Sequence, residues 1–392
     1  GVSSQRTRSK SCAVEEGGAG GRTMRGPKVP EYIRKLAVYV PGKPIEEVQR
    51  ELGVSDIVKL ASNENPLGPS PKAVAAIEKA LANLHRYPDG SGYALRKVLA
   101  ARHGVDIDQI ILGSGSVEVI EMLARAFLAD GDEAVFSQQS FISYQLAVDQ
   151  VNGRAVTTPA TSGRAHDLPA MAKAVSDRAK LVYLANPCNP TGTYFTRREF
   201  DRFLADVDDR SLVVVDEAYH EYVSRPDYPD ALEDVKRGRN VMVLRTFSKV
   251  YGLAGLRVGY GMASQEVIAT VNRVRSPFNT SSLAQVAAIA ALEDEEWVRK
   301  SREHNLREHA YLQGELERRS VRFTPSVTNF VLVEFESDIK ELFVDFQKRG
   351  VIIRPVGGPG LVNCARVSLG TRAENERFVA ALDQLVPTKA GV

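Results

Sequence analysis

Nowhere in the 392 residues does an apolar run approach the roughly 18 residues needed to cross a bilayer as a helix. The first residues also lack the hydrophobic core of a signal peptide. Cysteine is scarce: Cys12, Cys188 and Cys364 are odd in number and far apart, which fits neither a disulfide framework nor a set of metal ligands. A reducing cytoplasm is therefore the expected compartment. An excess of one charge is missing too, since 51 basic against 49 acidic side chains leave +2, and nothing in that balance recruits nucleic acid or a membrane. The six histidines form no His-Glu-x-x-His arrangement, and His304 and His309 do not share a helical face, so no metal is expected.

What is present is an ordinary globular composition, 43% hydrophobic and 26% charged, in a chain long enough for about two domains. Residues 1–24 are rich in Gly, Ser and Arg without period and read as a disordered tail or tag. Residues 25–55 read as an arm whose Pro30, Pro41 and Pro44 oppose one continuous helix. Over 56–282, helical patterns near 72–83, 92–103, 117–129, 141–150 and 197–206 alternate with β-rich runs. These runs include "QIILGSG", "EAVFS", "RAVTTP", "AKLVYLAN", "SLVVVDEA" and "NVMVLRTFS". That alternation predicts a large α/β domain on a mostly parallel central sheet. Over 283–392 the texture changes to a long charged helical stretch at 283–318, then "VRFTPSVTNFVLVEF", a helix near 338–348, "VIIRPVGG" and "CARVSLG", predicting a smaller α+β domain.

Three of the β-rich runs end in polar groups: Asn186 and Asn189, then Asp216, then Thr246, Ser248 and Lys249, with Arg257 eight residues on. If these strands are parallel neighbours, their C-terminal ends meet at one crevice, the usual ligand position of open α/β sheets. An ammonium at a buried strand end is costly unless something holds or uses it. Together the groups suit pyridoxal phosphate, which needs an amine to bond its aldehyde, an acid beside its ring nitrogen and donors for its phosphate. "ILGSGSVEVIEMLARAF" adds a strand, a Gly-Ser turn and a helix start whose free amides, at Ser116 and Val117, face an anion. Asp216 could equally cap a helix, and Asn189 in "NPCNPTG" could shape a turn. Cys188 has no evident His partner and reads as packing.

From about residue 32 to 386 the chain resembles the fold-type I aminotransferases, most closely the histidinol-phosphate aminotransferase group. The resemblance rests on "LASNENPLGPSP", "RYPDGSGYALRKVLA", "ILGSGSVEVIE", "NPCNPTG", "VVVDEAYHEY", "RTFSKVYGLAGLRVGYG", "PFNTSSLAQVAA", "VIIRPVGG" and "ARVSLGT". It implies that Lys249 bonds the cofactor, Asp216 partners the ring nitrogen, and Asn189 and Tyr219 donate to the ring hydroxyl. Ser116, Val117, Thr246, Ser248 and Arg257 resemble the phosphate cup, and Phe141 the aromatic that stacks on the ring. Tyr87 resembles a tyrosine that reaches the phosphate of the other subunit, implying a homodimer with shared sites. Arg366 resembles the arginine that grips the anionic end of the substrate, with Tyr39, Asn63 and Arg354 bordering the same pocket.

The activity so implied is transamination between histidinol phosphate and 2-oxoglutarate, in histidine biosynthesis, with small molecules as the only partners beside the second subunit. Aromatic amino-acid transamination on the same scaffold is the alternative, and a cofactor-binding regulatory domain without turnover a remoter one. Two departures from the family pattern bear on the site. Val117 stands where an Asp is usual and can offer only its amide, and Gln139 stands where a proline commonly precedes the aromatic.

Overall fold

A computed structural model of the chain describes residues 27–38 and 42–386. It divides into two compact units, residues 1–35 and 36–392, and the described part of the first holds one short helix, α1 (Glu31–Arg34). The second unit opens with α2 (Ile45–Leu52), β1 (Val58–Lys59), α3 (Pro71–Ala80) and α4 (Tyr93–His103). Strands and helices then alternate through β2 (Ile110–Gly113), α5 (Gly115–Phe127), β3 (Glu133–Ser137), α6 (Ile142–Gln150), β4 (Arg154–Thr158), α7 (Leu168–Ala174), β5 (Ala179–Ala185) and α8 (Arg197–Val207). Next come β6 (Leu212–Asp216), α9 (Leu232–Lys236), β7 (Val241–Thr246), β8 (Gly259–Met262), α10 (Gln265–Asn272), α11 (Ser282–Leu292) and α12 (Glu295–Arg318). The chain closes with β9 (Arg322–Thr324), β10 (Phe330–Glu334), α13 (Ile339–Lys348), β11 (Val351–Ile352), β12 (Arg354–Val356), β13 (Cys364–Ser368) and α14 (Arg372–Leu385).

The central sheet has seven strands in the order β2-β8-β7-β6-β5-β3-β4, parallel except for β8, which runs against both its neighbours. Its strands are apolar on both sides because both sides are covered. Along β6, Val213 and Val215 join one buried cluster with Phe200, Phe203 and Tyr260, while Leu212 and Val214 join another with Tyr144, Tyr183 and Met242. A third cluster, built on Leu312, Leu316, Val331, Val333, Phe346 and Phe378, underlies a four-stranded antiparallel sheet, β12-β13-β10-β9. The parallel pair β1–β11 brings the residues just before Leu60 beside Val351 and Ile352. No helix among the described residues is long and apolar enough to cross a membrane.

The predicted single helical stretch at 283–318 is two helices. Asp294 interrupts it, and its side chain accepts the Trp297 amide as the cap of α12, so the carboxylate offers the backbone an alternative to continuing the turn. β8 is a strand that the sequence does not announce, because "GYGM" looks like a loop. Its glycines serve contact: a Cβ at Gly261 would lie 2.2 Å from Met242 Cε, and one at Gly259 would lie 2.5 Å from the Ser116 amide nitrogen. Helices α7, α10 and α14 were likewise not predicted; α7 is only seven residues long, too short to print a helical period.

Candidate active site

Strands β5, β6 and β7 are adjacent and parallel, and their register sets Ala185 against Asp216 and Asp216 against Leu244. The polar groups just beyond these ends therefore converge on one crevice, as open parallel sheets require. A cavity of about 740 Å³ lies there. Its lining includes Ser116, Val117, Phe141, Asn189, Asp216, Tyr219, Thr246, Ser248, Lys249 and Arg257, with Asn63, Arg354 and Arg366. Of the remaining residues singled out in the sequence, Tyr39 lies outside the described residues. Tyr87 does not line this cavity; it is 83% exposed and stacked on Phe278, with ring centroids 4.8 Å apart.

The floor is acidic and buried. Asp216 follows Val214 on its face of the sheet, whereas Glu217 points the other way and pairs with Arg245, whose Nε donates to it at 2.9 Å. The Asp216 oxygens are both engaged: Oδ2 accepts from the Tyr144 hydroxyl at 2.9 Å and Oδ1 from the Ala218 amide at 3.2 Å. Burial pushes its carboxyl up to about 6, against the pull of those two hydrogen bonds. Tyr144 was missed in the sequence, although it stands three residues after Phe141, a spacing that shares one helical face. It stacks on Tyr183 with centroids 4.7 Å apart, which fixes the ring that carries the hydroxyl.

Lys249 Nζ donates to the Ser62 carbonyl at 3.3 Å and lies 5.6 Å from the Tyr219 ring centroid. Desolvation, then the Arg366 charge, lower its amine from the ordinary 10.5 to about 7, so the neutral form is abundant near neutrality. Tyr219 Oη accepts from Asn63 Nδ2 at 2.8 Å, leaving its own hydrogen to give, and burial raises its ionisation so the phenol keeps that hydrogen. Asn189 Oδ1 accepts from Arg366 Nη1 at 2.6 Å, so the nitrogen of that amide is the end with hydrogens to donate. Arg366 Nη2 also donates to the Ala61 carbonyl at 2.8 Å, and its guanidinium lies 5.4 Å from the Phe330 ring centroid. Arg354 is its cross-strand partner on β12. Cys188 is buried, its thiol raised to about 11 by desolvation and donating to the Gln139 carbonyl, as a packing residue does.

At the opposite wall, α5 begins with unpaired amides at Ser116 and Val117 beside Thr246, Ser248 and Arg257. Thr246 Oγ1 donates to Ser248 Oγ at 3.0 Å, and Arg257 Nη1 approaches the same oxygen at 3.4 Å. A Cβ on Gly115, which has φ +75°, would lie 2.4 Å from Arg257 Nη2. Glycine there lets a guanidinium meet a helix start, a cradle shaped and charged for a phosphate dianion. Gly115→Ala should push Arg257 aside and weaken the cradle's hold on a phosphate monoester, with pyridoxal phosphate as the probe, about tenfold or more, since charge-assisted bonds carry such binding. Equilibrium dialysis measures this, and unchanged affinity would remove Arg257 from the cup.

Comparisons with known proteins give the class to which this crevice, with its buried acid, its lysine of lowered pKa and its anion cradle, belongs. The family described as "Aminotransferase class I and II" matches residues 55–382, and the chain belongs to that family. It is 48% identical over 361 residues to a histidinol-phosphate aminotransferase of Moorella thermoacetica, covering 92% of this chain and 93% of that one. It is 50% identical to the histidinol-phosphate aminotransferase of an Anaeromyxobacter species, covering 92% and 99%. Among solved structures it resembles histidinol-phosphate aminotransferase from Sinorhizobium meliloti in complex with pyridoxal-5'-phosphate, with TM-score 0.86 and 28% identity over 94% of this chain and 100% of that one.

Proposed function

We propose that the protein uses pyridoxal phosphate to move an amino group from histidinol phosphate to 2-oxoglutarate, a step of histidine biosynthesis. The observation that carries this reading is that Lys249, Asp216 and Arg366 line one cavity with the Ser116–Arg257 cradle. When bound, the cofactor supplies an aldehyde that takes up amines and a ring that withdraws electrons as a C–H proton leaves. Lys249 Nζ, largely neutral above pH 7, holds the proton taken from the amino-bearing carbon and returns it, as general base and then acid. Asp216, ionised above about pH 6 with the help of Tyr144 and the Ala218 amide, would hold the proton on the ring nitrogen. Asn189 and Tyr219 would donate to its ring hydroxyl, and Phe141 would cover a face of the ring.

Arg366 receives the donor's phosphate in one half of the reaction and a carboxylate in the other, because a planar guanidinium bonds either one bidentately. Arg354 and Asn63 border the same end, and Tyr39 is assigned there by resemblance alone. Tyr87, exposed and not among the residues lining the cavity, would reach the phosphate of a second subunit in a homodimer. The large domain so formed covers residues 56–282, and the small one 283–392 with the arm.

A spectral titration of the purified holoenzyme with histidinol phosphate, phenylalanine and tyrosine is the test. The expected result is that histidinol phosphate converts the cofactor spectrum at the lowest concentration. Conversion by phenylalanine or tyrosine first would make the protein an aromatic amino-acid aminotransferase, and no conversion by any donor would point to a binding domain without turnover.

A further inference from the structure

Strand β7 is buried along its whole length, and Arg245 is its one charged residue. A strand covered on both sides is normally an apolar run, so a guanidinium inside it needs a reason. Leu244 and Thr246 lie on the cavity side of the sheet, which turns Arg245 between them to the other side. There it meets Glu217, the residue after Asp216. Arg245 Nε donates to Glu217 Oε2 at 2.9 Å and Nη2 lies 2.8 Å from the same oxygen, both side chains being almost closed to solvent. The other charged or titratable groups are farther off: Asp230 Oδ1 is 3.8 Å from Arg245 Nη2, and His220 Nδ1 is 3.6 Å from Glu217 Oε2.

Each partner of this pair is the chain neighbour of a cavity residue. Glu217 follows Asp216 at the end of β6, and Arg245 precedes Thr246 at the end of β7. Across the ladder Thr246 faces Gly259 of β8, which packs against the Ser116 amide, so β7 is tied to the phosphate cradle. The pair therefore fixes how far the strand that carries the cradle runs along the strand that carries the acid. The apolar partners Val213 with Val241 and Val215 with Val243 specify that register weakly, because one valine can stand in for another. Two charges that meet at one buried oxygen cannot slide. Buried ion pairs add little to stability compared with apolar residues of like size, and setting register is their best-attested use.

We propose that Arg245 is a positioning residue, which through Glu217 holds Asp216 at the distance from the cradle that pyridoxal phosphate spans, an inference that rests on the proposed cofactor. A rigid molecule gripped at two ends needs both grips correctly spaced, whereas a free phosphate uses the cradle alone. Arg245 touches neither ligand.

The test takes inorganic phosphate and pyridoxal phosphate as calorimetric probes of the full-length apoprotein, comparing wild type with the double variant Arg245→Met/Glu217→Leu. Removing both partners leaves no buried charge unpaired, so urea melts of the double variant should match wild type, while Arg245→Met alone should melt at lower urea. The expected result is that pyridoxal phosphate binding weakens about tenfold in the double variant while inorganic phosphate binding holds within about twofold. In the reconstituted enzyme kcat with histidinol phosphate should fall about tenfold at little-changed KM. Arg245→Lys keeps the charge but loses the fork, so it should show the same selective loss to a smaller extent. It carries the test if the double variant does not fold. Equal weakening of both probes would make the pair a general support of the fold, and undiminished pyridoxal phosphate binding would remove any positioning role; either result overturns the proposal. A wild-type apoprotein that binds pyridoxal phosphate no better than phosphate would overturn the proposed cofactor and this inference with it. Wild type inactive on histidinol phosphate would overturn the proposed substrate alone, and the two binding probes would still decide the role of Arg245.

Discussion

Lys249→Ala is expected to lower kcat by about 10⁴-fold or more, because in the proposed reaction one amine serves as both nucleophile and proton carrier and no other lysine lines the cavity. Asp216 lies on the cavity floor as an acid of the wrong kind, and Tyr219 keeps its proton through burial. The pH dependence separates this from a packing defect. In the apoprotein, capture of pyridoxal phosphate needs the neutral amine, so its rate should climb about tenfold per pH unit up to about 7 and then level, where an ordinary lysine would climb to 10.5. The same depression has a sign in stability. Between 7 and 10.5 the unfolded chain holds the proton that the folded one has shed, so the apoprotein gains stability as pH rises through that window. Lys249→Ala should lose that gain, as read by urea melts at pH 7 and 10. Turnover within tenfold of wild type, or a capture rate still rising above pH 9, would sink the assignment.

Much of this site is legible in the chain because parallel strands write their chemistry at their ends. The runs "LVYLAN", "LVVVDE" and "VMVLRTFSK" each stop at polar residues, and the rule that such ends share a crevice brings Asn189, Asp216, Thr246 and Lys249 together from the sequence alone. What is not legible depends on contacts made from outside the run. β8 is invisible because its glycines answer to Met242 and to the start of α5, both distant in sequence. The break at Asp294 lies inside a stretch whose composition is helical throughout, and only the carboxylate's bond to the Trp297 amide reveals it. Tyr144 was hidden for a related reason: a tyrosine on an apolar helix reads as core, and its value lies in where the hydroxyl lands. Gln139 was noticed only as a missing proline, since nothing local predicts a bond to Pro359, 220 residues away.

Asp216→Asn is the second large effect expected, a fall of about 10²- to 10³-fold in kcat with a small change in KM, since it removes charge aimed at the reacting system without altering shape. The wild-type carboxyl is poised: burial lifts it from 3.8 to about 6, while Tyr144, the Ala218 amide and the Lys249 charge keep it from rising further. Above that value it is an anion able to hold a protonated ring nitrogen, and the neutral amide is a poor substitute. The linkage has the opposite sign to that of the lysine. From 3.8 to 6 the folded apoprotein retains a proton that the unfolded chain has released, so this group's contribution to stability is present in acid and lost as pH rises through about 6. The isosteric amide removes that dependence and relieves the burial of a charge, so the apoprotein variant should melt higher than wild type at pH 8. Loss of activity with gain of stability at one buried atom is the mark of a functional carboxylate. A variant that is less stable and fully active would make Asp216 a structural acid instead.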